Sequence, residues 1–214
     1  MKTFKEFLLE TPLLDDWNSA IYSTKTPFKR RLAYATKRAT EIGRGSSRVV
    51  FKIPYEGRLT ALKIAKNPIG MAQNTEEVKR FNNPTIKELN ITIPMIDYDK
   101  ENAHPTWIHT EYAISVSDID FVRACGYPLS QLFDYAKLRG LNGDIDDYFL
   151  TTKTIDHLDN NPFAQSLASF FKIVKKDPLG DYNWLHNWGR YKGKPVIIDV
   201  GLSDDVWDKH YSFS

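Results

Sequence analysis

The chain has 214 residues, with 29 Lys and Arg against 27 Asp and Glu and a formal charge of +2. A hydrophobic content of 42% with 13% aromatics excludes intrinsic disorder, and the near-neutral balance argues against a dedicated nucleic-acid coat or a polycationic membrane binder. One cysteine, Cys125, excludes an intrachain disulfide and any multi-cysteine metal site.

At the start, Lys5, Glu6 and Glu10 interrupt the apolar run that a secretory signal needs, and the Phe4, Phe7, Leu8 spacing predicts a short amphipathic helix instead. The most apolar stretches, such as Pro195–Val200, are strand-sized, whereas a spanning helix needs about 20 apolar residues. A soluble globular protein from a reducing compartment is therefore expected. Charge is unevenly placed: residues 1–60 carry a net +6 and the remainder −4. The basic excess concentrates in Lys25–Arg38, which holds six cations and no acid. Two readings stand for it. It contacts phosphates, or it is the solvated face of a helix capped by Thr26, with Pro27 first and Phe28, Leu32 and Ala35 turned inward.

From Ala39 the pattern becomes extended. Arg48–Ile53 and Leu59–Ile64 read as strands separated by a turn at Pro54, Tyr55, Glu56 and Gly57. A helix follows over about Gly70–Phe81, then strands near Met95–Tyr98 and Thr106–Tyr112. Downstream, Asp118–Ala124, Leu129–Leu138 and Pro162–Lys175 read as helices, the last capped by Asn161. A short β pair joins Arg190–Tyr191 to Pro195–Asp199 across Gly193. The expected organisation is an amphipathic and basic segment (1–38), a β-rich lobe (39–113) and a helical lobe (114–214). Ligands are expected in a crevice where the lobes meet.

Three clusters carry chemistry. In Ile42–Val50, Gly43 and Gly45 allow close backbone approach to an anion, and Ser46 and Ser47 add donors; a plain hairpin turn has the same spacing. Lys63, flanked by apolar strand residues, has a buried stem and an ammonium suited to a phosphate oxygen, or it snorkels from an edge strand. Glu77 either holds that ammonium or closes a capping box with Asn74. Last, Asp181 and Asn187 precede an apolar strand ending in Asp199-Val200-Gly201. Asn187 and Asp199 offer oxygen ligands for Mg²⁺, the companion of nucleotide phosphates, and Asp181 is placed to receive a proton from an attacking hydroxyl.

The order of these clusters resembles the protein kinase-like superfamily from about residue 40 to the C-terminus. The resemblance implies an α+β fold with a small β-rich N-lobe and a truncated helical C-lobe. It implies ATP and Mg²⁺ as cofactors, with Lys63 on the α/β-phosphates, Glu77 on Lys63, Asn187 and Asp199 on the metal, and Asp181 as base. Thr110-Glu111-Tyr112-Ala113 resembles the hinge whose backbone bonds adenine, which makes Glu111 a cofactor-binding position. Departures are equally plain. Arg48 replaces the third glycine, Gly180 stands before the aspartate in place of His-Arg, and Val200 occupies the middle of the metal turn. Five residues rather than four separate Asp181 from Asn187, a difference of about 3.3 Å if extended. Thirteen residues follow Gly201, so the peptide-docking helices of a protein kinase are not expected.

Met1–Glu10 resembles the start of tailed-bacteriophage internal head proteins, which implies cleavage after Glu10 and a place in the host cytoplasm or the virion head. The functions in view are a phosphotransferase acting on an unknown protein or small-molecule acceptor, a pseudokinase-like binding module, and a delivered protein working through Lys25–Arg38, with nucleic acid as partner. The acidic stretch Asp144–Asp159 is either a magnet for a cationic small molecule or a solvated surface.

Overall fold

Alternation of apolar residues builds the larger of two sheets. The structure, a computed structural model, describes residues 17–145 and 148–211. Met1–Glu10 and the cleavage expected after it, together with Asp146 and Asp147, lie outside the described residues. The fold is α+β and divides into two compact units. One holds the described residues up to Val78 together with Pro94–Tyr112; the other holds Lys79–Ile93 and the described residues from Ala113 onward.

In the first unit a helix, α1 (Phe28–Thr36), precedes strands β1 (Thr40–Arg44), β2 (Arg48–Tyr55) and β3 (Arg58–Ala65); β4 (Met95–Tyr98) and β5 (Trp107–Glu111) come later. They form an antiparallel sheet in the order β1-β2-β3-β5-β4. Val49, Phe51 and Ile53 of β2 and Leu62 and Ile64 of β3 lie in one buried cluster with Trp17, Tyr22 and Ala35. Full burial of each large side chain there contributes about 1.5–3 kcal/mol. Side chains alternate along a strand, so Lys63 projects from the face opposite Leu62 and Ile64.

Two local details differ from expectation. The β2–β3 turn tightens to Glu56 and Gly57, at φ 48° and 75°, the positive pair that matches strand twist in a two-residue hairpin. Pro54 therefore stays in β2, opposite Leu59 and beyond Lys52, the last residue paired with β1, so its missing N–H breaks no bond to β1. Helix α1 starts at Phe28 with Pro27 at its N-cap and no side-chain cap from Thr26. Its Ala35 is buried, but so is Arg31, at 2% exposure. The Arg31 guanidinium lies 4.7 Å from the Phe28 ring centroid and donates to the Ser23 carbonyl at 3.1 Å.

Helix α2 (Pro68–Asn82) runs through the boundary of the units, which falls after Val78. It begins two residues before the expected Gly70, because the Asn67 side chain accepts from the Gly70 N–H at 2.9 Å and Pro68 suits the first position.

The second unit contains α3 (Pro84–Leu89), α4 (Asp118–Cys125), α5 (Leu129–Leu141), α6 (Thr152–Asp159), α7 (Pro162–Ile173) and α8 (Asp204–His210). Asn161 caps α7 as expected, accepting from Phe163 and Ala164. A capping box between Ser117 and Asp120 starts α4. Strands β6 (Ile114–Ser115), β7 (Trp188–Tyr191) and β8 (Lys194–Ile197) form a second antiparallel sheet. The segment through Ile91 and Ile93 adds to it: Ile197 donates to the Ile91 carbonyl at 2.7 Å, and Ile93 donates to the Ile197 carbonyl at 2.9 Å. Phe133, Phe170, Phe171 and Tyr182 pack as one aromatic group, and Trp188 packs on Phe121 at 5.1 Å.

Candidate functional site

The first unit brings Lys63 and Glu77 together. Lys63 Nζ lies 3.0 and 2.9 Å from the two Glu77 carboxylate oxygens, with Glu77 fully buried and Lys63 6% exposed. The capping-box alternative does not form, since α2 starts at Pro68 and Asn74 is inside it. Asn74 instead donates to the Pro105 carbonyl at 3.0 Å. A Lys–Glu pair removed from water is costly to assemble, and removing one partner strands the other.

Glu77 has a second cation. Arg48 Nη1 lies 2.8 Å from Glu77 Oε1 and 3.4 Å from the Asn74 amide oxygen, at 6% exposure. The residue standing where the resemblance puts a third glycine is thus a buried member of the same ion cluster. It anchors the β1–β2 connection. Ser47 donates its hydroxyl to Gln73, its carbonyl accepts from Lys66 at 2.9 Å, and the Ser46 carbonyl accepts from Asn67 at 3.2 Å. Gly45 and Ser46 are exposed, and neither Gly43 nor Gly45 has a left-handed φ. A Cβ at Gly43 or Gly45 meets nothing closer than 3.8 Å. The tight position is Gly70 on α2, where a Cβ would strike the Ser47 carbonyl and lie 3.1 Å from Ala65 Cα.

Glu111 ends β5 in the same unit. Its N–H donates to the Pro94 carbonyl at 2.9 Å, its carbonyl accepts from Thr110 Oγ1 at 3.1 Å, and its carboxylate lies 3.2 Å from Arg58.

In the second unit the Asn187 side chain bonds the Asp181 main chain, and the Asp199 charge acts on the Asp181 carboxyl. The extra residue between Asp181 and Asn187 is absorbed by two 3₁₀ turns, Leu179–Asn183 and Leu185–Asn187. Such a turn advances about 2.0 Å per residue rather than the 3.3 Å of extended chain. Asn187 can therefore reach back and donate its amide Nδ2 to the Asp181 carbonyl at 2.8 Å. Asn187 is 7% exposed, and this bond uses its amide nitrogen rather than Oδ1. Asp181 is half-buried, and its carboxyl is raised first by that burial and then by the Asp199 charge, with His186 opposing. Asp199 accepts from the Gly201 N–H at 3.2 Å.

No group of three His, Cys, Asp or Glu able to hold a metal occurs among the described residues. The donor set that exists suits Mg²⁺ even so, because that ion takes one or two carboxylates and completes its shell with water and phosphate. Asp199 and Asn187 are of the donor types that such a dication takes, a carboxylate and an amide oxygen.

Sequence reasoning missed Arg80. From α2 it donates Nη1 to the Tyr182 hydroxyl at 3.1 Å and to the Val200 carbonyl, and its Nη2 lies 2.7 Å from Asp177. Its spacing of three from Glu77 was the sole signal, and helix spacing does not reveal a partner about a hundred residues on. Beside the loop, a cavity of about 390 Å³ is lined by Asp118, Ser130, Asn183, Trp184 and His186, among others. Trp184 is 61% exposed and stacks on His186. In the acidic stretch, Asp159 pairs with Arg139 and accepts from Tyr135 at 2.9 Å, so it is internally committed.

No protein-family model matches the chain, and no curated protein matches it. Among solved structures it is similar to aminoglycoside phosphotransferase APH(4)-Ia, at 12% identity and a TM-score of 0.35, over 75% of this chain and 65% of that one. A thermostable mutant of that enzyme, in a ternary complex with ADP and hygromycin B, matches at 11% identity and a TM-score of 0.33, over 77% and 66%. A ternary complex with AMP-PNP and hygromycin B matches at 12% and 0.30, over 75% and 65%. The chain spans about two thirds of the length of these structures.

Proposed function

We propose that the chain is a kinase-like protein that binds Mg²⁺-ATP and transfers the γ-phosphoryl group to the hydroxyl of an acceptor. The observation that carries this reading is the buried Lys63–Glu77 pair, an ammonium fixed by a carboxylate on the strand face away from the core. Lys63 holds the α/β-phosphates, Asn187 and Asp199 take the metal, and Asp181 accepts the acceptor's proton. The bound dication supplies charge neutralisation on the phosphate oxygens. As the acceptor oxygen bonds to phosphorus, the bond from phosphorus to the ADP oxygen breaks and the hydroxyl proton passes to Asp181. Positioning and electrostatics account for such catalysis, since the protein contributes no covalent step.

Thermal unfolding tests the reading. At a nucleotide concentration of 100 times Kd, binding stabilises the folded state by about 2.7 kcal/mol. For a chain of this size that raises the melting temperature by about 5–10 °C. Wild type should show the rise with Mg²⁺-ATP, and Lys63→Ala and Asp199→Ala should not. An unchanged wild-type melting temperature removes the nucleotide reading.

One observation favours a second reading, binding without turnover: Arg48 shares the Glu77 carboxylate with Lys63 and pins the β1–β2 connection. Transfer of labelled γ-phosphate, present in wild type and lost in Asp181→Asn, distinguishes an enzyme from a pseudokinase-like binder.

A further inference from the structure

Arg80 is spent on three acceptors that stand beside Asp181 and Asp199 in the second unit. Tyr182, whose hydroxyl it bonds, directly follows Asp181, and Val200, whose carbonyl it bonds, directly follows Asp199. Asp177, its ion-pair partner at 2.7 Å, opens the segment leading into Asp181. Arg80 is 9% exposed and the Tyr182 ring 2%, so these bonds form out of water, where charge-assisted hydrogen bonds are strong. The loop is tied from its other side as well, since Trp188 Nε1 donates to the Tyr182 carbonyl at 2.8 Å. A guanidinium is a rigid planar fork, so acceptors that share it are fixed relative to one another, which a lysine ammonium on a flexible stem does not do. The bond to the buried Val200 carbonyl ties the turn to the same guanidinium, which the Asp177 ion pair alone does not do.

We infer that Arg80 is a positioning residue, which sets the Asp181–Asn187 loop and the Asp199-Val200-Gly201 turn at the spacing needed for the Asn187 amide oxygen and the Asp199 carboxylate to serve one divalent cation. The inference rests on the Mg²⁺-ATP reading of this site, and it assigns Arg80 no contact with nucleotide.

The experiment uses the full chain with Arg80→Met, Arg80→Lys and Asp177→Asn. Binding of Mn²⁺ in the presence of ATP is followed by electron paramagnetic resonance, ATP binding is measured separately in EDTA, and amide exchange is followed at Gly201 and in β3. Arg80→Met should weaken Mn²⁺ binding at least tenfold and leave metal-free ATP binding within twofold. Exchange at Gly201 should accelerate at least tenfold, with β3 unchanged. Arg80→Lys should restore the melting temperature by pairing with Asp177, without restoring Mn²⁺ binding or Gly201 protection. Asp177→Asn should lower the melting temperature and leave Gly201 protected. If Arg80→Met does not fold, Arg80→Lys carries both measurements. Unchanged Mn²⁺ affinity and Gly201 protection in a folded Arg80 variant overturn the inference, as does full recovery by lysine. If wild type binds neither Mn²⁺ nor ATP, the proposed function fails, while exchange at Gly201 still decides what Arg80 holds.

Discussion

Asp181 is half-buried, and its carboxyl is held above the ordinary aspartate range by desolvation and by Asp199. Its folded-state value therefore exceeds its unfolded one, so ionising it costs stability. That cost appears as pH climbs through the interval between the two values and persists above it. Asp181→Asn removes the carboxylate, so its melting temperature should exceed that of wild type at pH 7, and the advantage should vanish at pH 3. Calorimetry at the two values checks this. If Asp181 is the base, the same variant should lose about 10²–10⁴-fold in phosphoryl transfer. A residue that costs stability at neutral pH yet supports activity is the pattern of a functional group. The candidate residues were legible because each stands beside punctuation: Lys63 within an apolar strand, Asp199 at a strand end before a glycine. Arg48 and Arg80 were not, because nothing near them in the chain names Glu77, Asp177 or Val200 as partners.

At the scale of elements, the strands were legible from alternation in β2 and β3, and α7 from Asn161 and Pro162. The β2–β3 turn was not, because Pro54 reads locally as turn chemistry while its place beyond β1 is a matter of sheet register. Helix α2 shows the same limit. Its interior could be read from sequence, but its start depends on the Asn67 cap and on how closely it approaches the Ser47 carbonyl. Gly70→Ala tests that approach. The added Cβ meets backbone, which has no flexible end to move aside, so the helix start or the β1–β2 connection must shift. A loss of about 1–3 kcal/mol is expected, read as a lower midpoint in urea. Because Ser47 and Arg48 move with that connection, the proposed nucleotide binding should weaken as well.

At the largest scale, the basic excess of Lys25–Arg38 is smaller at the surface than the sequence suggests. Of the cations in Lys25–Arg38, Lys25, Lys29, Arg30, Lys37 and Arg38 are exposed, whereas Arg31 is buried. Neutralising Lys29 and Arg30 should leave stability within about 0.5 kcal/mol, so that pair tests nucleic-acid binding without disturbing the fold. Arg31→Ala should cost about 1–3 kcal/mol through loss of its buried stem and of the guanidinium's contacts with Phe28 and Ser23, and Arg31→Met should recover the part due to the stem. Denaturant melts of the three variants separate a surface charge from a packed one.

The addition of Ile91 and Ile93 to β8 has a consequence for how the protein is made. Both isoleucines are buried in the finished molecule, at 1% and 2% exposure, and their main-chain partner is Ile197. A ribosome adding about 5–20 residues per second takes about 5–20 s to travel the intervening hundred or so residues. Throughout that interval Ile91 and Ile93 lack this main-chain partner, while the residues of β4 and β5 are already made. Slowed elongation after Ile93 should therefore lower the folded yield in cells without changing the melting temperature of the protein that folds, which pulse labelling and calorimetry check.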